Sequence, residues 1–175
     1  MLSTSTNRIL HTVPHARHPT ATEIALLTDF VRNRRVVVLS GAGISTESGL
    51  PDYRSPQGAY ARNHKPVTYQ QFMDERNDVH RKRFWLRAFL GFARHSKAEP
   101  NAAHVALHRM EAGNCLKGLI TQNVDGLHQR AGSEHVIELH GNIFKTTQTP
   151  DGQARPGVVW FGEPLPPLVW EASVE

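Results

Sequence analysis

The chain has 175 residues, 39% of them hydrophobic and 21% charged, with a net charge of +4 at neutral pH. This is the make-up of one globular domain able to bury a core, not of a disordered or low-complexity chain. No apolar run reaches the length of a bilayer span, the basic residues are scattered, and the single cysteine, Cys115, excludes a disulfide framework. Neither a membrane nor a nucleic acid is therefore an expected partner, while a mildly basic surface suits an anionic cofactor.

Residues 1–20 read as a flexible or targeting segment, and 21–175 as one folded domain. The first 22 residues carry Arg8 and Arg17, several Ser and Thr, and no acid. That suits a mitochondrial transit peptide and equally a plain basic tail, so mitochondrial and cytoplasmic locations both stay open. Pro14 and Pro19 argue against a continuous helix there.

Thr20 and Glu23 form a capping box ahead of Ile24, Leu26, Leu27 and Phe30, which predicts a helix over 21–32. Val36 to Leu39 read as a first strand. The loop over 41–68, rich in Gly and Pro, is too irregular for regular elements, and its length marks it as functional. Residues 69–94 have a helical pattern and predict a small helical lobe. Asn101 opens a further helix through Leu107, and Gly113 closes it. Leu119 to Thr121, Val136 to Leu139 and Val158 to Phe161 read as three more strands. Strands alternating with helices predict an α/β fold, a Rossmann-like doubly wound parallel sheet.

The chemistry-bearing residues follow the predicted strand ends, where open α/β sheets bind ligands. The first strand runs into Ser40-Gly41-Ala42-Gly43-Ile44-Ser45, then into Pro51-Asp52-Tyr53-Arg54. Gly41 and Gly43 permit tight turning and a close approach to a pyrophosphate. The generic dinucleotide fingerprint is only partly met, since position 46 is Thr and no acid follows at the ribose-binding distance. The second strand delivers Gln122-Asn123-Val124-Asp125-Gly126, the third His140-Gly141-Asn142. A histidine at a strand end can serve as a general base near neutral pH, or as a structural core histidine. Asn123 to Gly126 are also ordinary turn formers. His104 and His108, four apart on a helix, have metal-site spacing but no third ligand, and read as a solvated face.

Taken together, residues 36–54, 121–128 and 138–142, with Arg155 to Glu163, resemble four ordered motifs of the sirtuins, the NAD-dependent protein-lysine deacylases. The wording around them is most similar to class II, mitochondrial-type members. The resemblance implies NAD as cofactor and acylated-lysine proteins as partners, with acyl transfer to ADP-ribose and release of nicotinamide. It implies His140 and Asn123 as catalytic residues. It places Gly41, Ala42, Gly43, Ser45, Asp52, Tyr53, Arg54, Gln122, Asn123 and Asp125 around the cofactor. Tyr60, Arg62, Val159, Phe161, Gly162 and Glu163 fall where substrate binds, the last four as an added strand. Tyr60 and Arg62 are similar to the Tyr-x-x-Arg pair of desuccinylating members, with one residue fewer between them. That leaves open a preference for acidic acyl groups.

Two departures stand out. Sirtuins usually carry a four-cysteine zinc module before the peptide-binding strand; with Cys115 alone, no metal site is expected. The family's later strands, which hold the adenosine half of NAD, have no match in these residues. The sheet is therefore expected to be incomplete at the C-terminus, and a truncated non-catalytic paralogue or fragment is one alternative. Protein mono-ADP-ribosyltransfer at the same site is another. Nothing in the sequence gives the oligomeric state.

Overall fold

The computed structural model of the chain describes residues 17–32, 34, 36–76, 78–149 and 152–174. Most of the predicted targeting segment and part of the turn at 150–152 lie outside the described residues. The elements run α1 (Ala21–Arg32), β1 (Val36–Ser40), α2 (Tyr69–Met73), α3 (Val79–Lys97), α4 (Ala102–Ala112), β2 (Leu116–Thr121), α5 (Leu127–Arg130), β3 (Val136–Glu138), β4 (Gly141–Gln148), β5 (Ala154–Val158) and α6 (Pro167–Val174).

β1, β2 and β3 form a parallel sheet with β2 in the centre. Their register sets Ser40 opposite Thr121, and Thr121 opposite Glu138, so all three strands end in one row. Leu116 and Leu119 of the central strand β2 are buried, while Val37 and Leu39 of the edge strand β1 are exposed. This is the α/β, Rossmann-like arrangement that the strand and helix pattern predicted.

Local sequence accounts for the helix starts. Thr20 accepts the Glu23 amide at 3.2 Å, and the Glu23 carboxylate accepts the Thr20 amide at 2.8 Å, closing the predicted capping box. Asn101 caps α4 through the amides of Ala103 and His104, and Thr68 caps α2. Gly113 donates to the Arg109 carbonyl at the end of α4, and the left-handed turn falls on Asn114 (φ 57°). The apolar positions of α1 (Ile24, Leu26, Leu27, Phe30) are exposed.

The structure departs from the sequence reading in three places. The loop after β1 contains two short 3-10 helices, Ala42–Ser48 and Tyr60–Arg62. The single helical stretch expected over 69–94 is two helices, because Asp74 leaves α2 in an extended conformation. The fourth strand lies at Ala154–Val158, not Val158–Phe161, and pairs antiparallel with β4 in a separate hairpin. Trp160 lies just past this strand. Its indole is drawn into an aromatic core with ring centroids 4.4 Å from both Phe72 and Phe84, and Gly162 (φ 83°) then turns the chain. This aromatic core, with Val67, ties α2 and α3 to the segment after β5.

Candidate active site

Because Ser40, Thr121 and Glu138 share one row, the segments that follow them emerge together at the carboxyl edge of the sheet. The glycine loop leaves β1 there, Gln122 to Asp125 leave β2, and His140 follows β3.

Gly41 is extended (φ −139°) and opens the first 3-10 helix. A Cβ built on Gly41 or Gly43 would meet no atom within 4 Å. The protein's own packing thus does not demand glycine at either position, and the space beside the backbone is open. Behind it, Ser45 is 1% exposed and donates to the Asp125 carboxylate at 2.8 Å. The other Asp125 oxygen accepts the Leu127 amide at 3.0 Å. Further along, Asp52 accepts the Ser55 amide at 3.1 Å. A Cβ at Gly58 would lie 2.6 Å from that carboxylate and 2.8 Å from the Tyr53 backbone, so only glycine lets this loop fold back on itself. The Tyr53 ring stands 5.6 Å from that of Tyr60 and 6.4 Å from that of Phe161. Arg54 is exposed, with no side-chain partner among the described residues.

Asn123 is buried between these segments. Its backbone amide donates to Thr121 Oγ1 at 3.1 Å, and its side-chain Nδ2 donates to the Gly41 carbonyl (3.1 Å) and to Ser45 Oγ (3.2 Å). The amide is thereby oriented, and its Oδ1 has no protein partner among the described residues. The Nδ1 of His140 lies 2.9 Å from the Gln122 carbonyl. A carbonyl only accepts, so this contact puts the proton on Nδ1 and leaves Nε2 bare. Gly141 makes that placement possible: φ is 72°, and a Cβ there would fall 2.1 Å from the Gly157 carbonyl oxygen. The Val159 amide bonds the His140 carbonyl at 2.9 Å, fastening the hairpin to the same point.

The predicted substrate residues are spread more widely. Phe161 is exposed and bridges Thr68 in parallel. The Glu163 carboxylate is taken up by Arg155, at 2.8 Å to each oxygen, and by the Trp160 amide at 2.9 Å. Arg62 falls apart from the strand ends, in a cavity of about 370 Å³ lined also by Asp52, Ser55, Gln57 and Arg94.

One expectation is corrected. Neither His104 nor His108 lies on a solvated helix face: His104 is 0% exposed, with its ring against that of His128 and its Nδ1 accepting the Asn101 amide, and His108 is half-buried, with its Nδ1 enclosed and without a partner among the described residues. The α4 N-terminus packs toward α5, which a helix-face reading of the sequence alone does not reveal. Ser40, Thr121 and His128, all buried beside Asn123, were missed as well. The signal available for Ser40 and Thr121 was position, at a strand end; His128, inside α5, carried none. Among the described residues, no group of three or more His, Cys, Asp or Glu side chains is placed to hold a metal ion.

The group most in keeping with this edge is a dinucleotide. The open glycine turn leaves room for phosphates, Gln122 offers an amide for hydroxyls, and Ser45, Asn123 and Asp125 are fixed from behind. The residues present fit such a ligand.

Comparison with known proteins agrees. The Sir2 family profile matches residues 41–153. An NAD-dependent protein deacylase of Drosophila melanogaster, Sirt4, is 48% identical over 135 residues, which is 75% of this chain and 43% of that protein. NAD-dependent protein deacetylase 1 of Streptomyces coelicolor is 50% identical over 125 residues, 71% of this chain and 41% of that protein. This chain thus spans less than half the length of these curated relatives. Among solved structures, a Sir2 complex with p53 peptide and NAD+ superposes with a TM-score of 0.70 at 32% identity, covering 86% of this chain and 70% of that one. A Sir2 homologue mutant bound to ADP ribose gives 0.72 at 33% identity, with 85% and 68% covered. With the profile spanning more than half of the chain and the same fold found in those structures, the chain belongs to the Sir2 family.

Proposed function

We propose that this chain carries the catalytic edge of an NAD-dependent protein-lysine deacylase, with acylated-lysine proteins as substrates. The observation that supports this most strongly is the pair His140 and Asn123. One presents a bare imidazole nitrogen, the other an oriented amide oxygen, both at the strand ends beside the open glycine turn. The deacylase and deacetylase names of the relatives point the same way.

Bound NAD would supply a labile bond between ribose and nicotinamide. The roles of the chain's own residues would be as follows. Gly41, Ala42 and Gly43 would leave backbone space for the phosphates. Gln122 would hydrogen-bond ribose hydroxyls. Asp125, held by Ser45 and the Leu127 amide, would lie on the nicotinamide side. Arg54 and Asp52, with Tyr53, would close the loop over the cofactor. His140 Nε2, left bare because the Nδ1–H is committed to Gln122, would accept a ribose hydroxyl proton. Val159, Phe161 and Gly162 offer backbone to the peptide, with Tyr60 and Arg62 toward the acyl group.

The finer reading is a class II, mitochondrial-type member, with residues 1–20 as a flexible or targeting segment and 21–175 as part of the NAD-binding deacylase domain. It includes no structural zinc, because Cys115 is the single cysteine and the segment after His140 is the β4–β5 hairpin. Calorimetry with NAD, followed by mass analysis of the products, tests the proposal. A freed lysine peptide supports deacylation, an ADP-ribosylated protein supports transferase chemistry, and absence of NAD binding rejects both.

A further inference from the structure

Two histidines that this chemistry does not use lie inside the molecule, behind the strand ends. His104 of α4 is 0% exposed and His128 of α5 is 1% exposed, with ring centroids 4.9 Å apart. Burial pushes both below the ordinary imidazole range, His128 to about 4. Each ring is therefore neutral near pH 7 and carries one N–H.

The partners say which nitrogen holds it. His104 Nδ1 accepts the Asn101 amide, so its proton is on Nε2. Ser40 Oγ lies 2.8 Å from Thr121 Oγ1, to which it donates, and 2.9 Å from His128 Nε2. A hydroxyl has one hydrogen. With that hydrogen directed at Thr121, His128 Nε2 is the donor and its Nδ1 is bare. The two leftover ring atoms, His104 Nε2–H and His128 Nδ1, are both buried without a partner among the described residues. They are a donor and an acceptor, complementary in kind.

We propose that His128 is a positioning residue. As an Nε2–H donor it fixes Ser40, Ser40 fixes Thr121, and Thr121 Oγ1 receives the backbone amide of Asn123 at 3.1 Å. The chain of bonds runs from α5 through the ends of β1 and β2 to the residue whose side-chain amide faces the site. Ser40, Thr121 and His128 are all buried, so the chain of bonds acts through Asn123. The geometry stands alone, while the consequence for catalysis rests on the function proposed above.

The test has two independent readouts. The first is the nitrogen NMR spectrum of the imidazole rings in the wild-type chain, together with amide hydrogen exchange of Asn123. The expected result is an Nε2–H tautomer for His128 and a protected Asn123 amide. That amide should exchange about tenfold faster in Ser40→Ala and His128→Leu, the size of effect one hydrogen bond commands. His128→Gln, which keeps an N–H donor, should restore protection. Unchanged exchange at Leu119 in the same variants shows that the sheet is intact. An Nδ1–H tautomer, or Asn123 exchange unaffected by Ser40→Ala and His128→Leu, overturns the inference. The tautomer needs no variant and decides the matter even if His128→Leu fails to fold. The second readout is nicotinamide release, where His128→Leu should lower kcat with KM for NAD little changed and His128→Gln should recover it. A wild-type chain that releases no nicotinamide counts against the proposed function, and the tautomer and exchange results then decide the inference by themselves.

Discussion

The imidazole of His140 donates its Nδ1 proton to the main-chain carbonyl of Gln122 at 2.9 Å. Two strand ends are joined by that bond, because Gln122 follows β2 and His140 follows β3. The same bond sets the tautomer and aims the basic nitrogen away from the protein. Its location is held from the other side by the glycine that follows.

Gly141→Ala should therefore act on both stability and activity. The new Cβ would meet the Gly157 carbonyl oxygen at 2.1 Å, in a left-handed backbone conformation. The expected cost is about 2 kcal/mol or more, read from denaturant midpoints. Nicotinamide release should fall further than the loss of folded protein explains. A fully active, equally stable variant would contradict the placement of His140.

The buried histidines predict an acid weakness. In the folded chain the His128 pKa is lowered from 6.5 to about 4 by burial, with His104 adjacent adding to the fall, and His104 itself is lowered. A depressed imidazole pKa means the unfolded state binds the proton first as pH drops. The stabilising contribution of neutral His128 is thus complete above pH 6.5 and is lost as pH falls toward about 4. Urea midpoints measured across that window should decline less steeply for His128→Gln than for the wild type. Parallel curves would refute the assignment.

Glu163 should matter to stability more than to substrate. Its carboxylate and the Arg155 guanidinium are 16% and 14% exposed and doubly hydrogen-bonded. Glu163→Ala strands a mostly buried cation, at an expected cost of about 2 to 3 kcal/mol. The KM for an acyl peptide should shift little in the folded variant. A large rise in KM with unchanged melting would return Glu163 to the substrate.

Arg62 and Arg94 line one cavity, and neither guanidinium has a hydrogen-bond or ion-pair partner among the described residues. Replacing either with alanine should cost no more than about 0.5 kcal/mol. Arg62→Ala should lower the ratio of kcat/KM for succinyl- over acetyl-lysine peptides. An unchanged ratio would remove Arg62 from acyl recognition.

How much of this could be read from the residues depends on range. The Thr20–Glu23 box, the caps at Asn101 and Gly113, and the apolar strand of β1 are local patterns, and they are present as read. The strand-end placement of Asn123 and His140 follows from the same local elements plus the parallel topology. The hairpin was illegible because β4 is almost wholly exposed from Lys145 to Gln148 and so has no apolar alternation. β5 contains Pro156 and Gly157, which read as breakers but sit on a two-stranded ribbon where neither interrupts a central ladder. The bonds from His128 to Ser40 and from Ser40 to Thr121 join residues more than eighty positions apart, and His104 is buried against a ring from another helix. No periodicity carries that information.

The most direct measurement is nicotinamide release by the purified chain given NAD and an acetyl-lysine peptide, with His140→Ala beside it. The account predicts release that requires the peptide and falls by at least about 100-fold in the variant, the range of a lost general base. Equal release from a folded His140→Ala variant would contradict it.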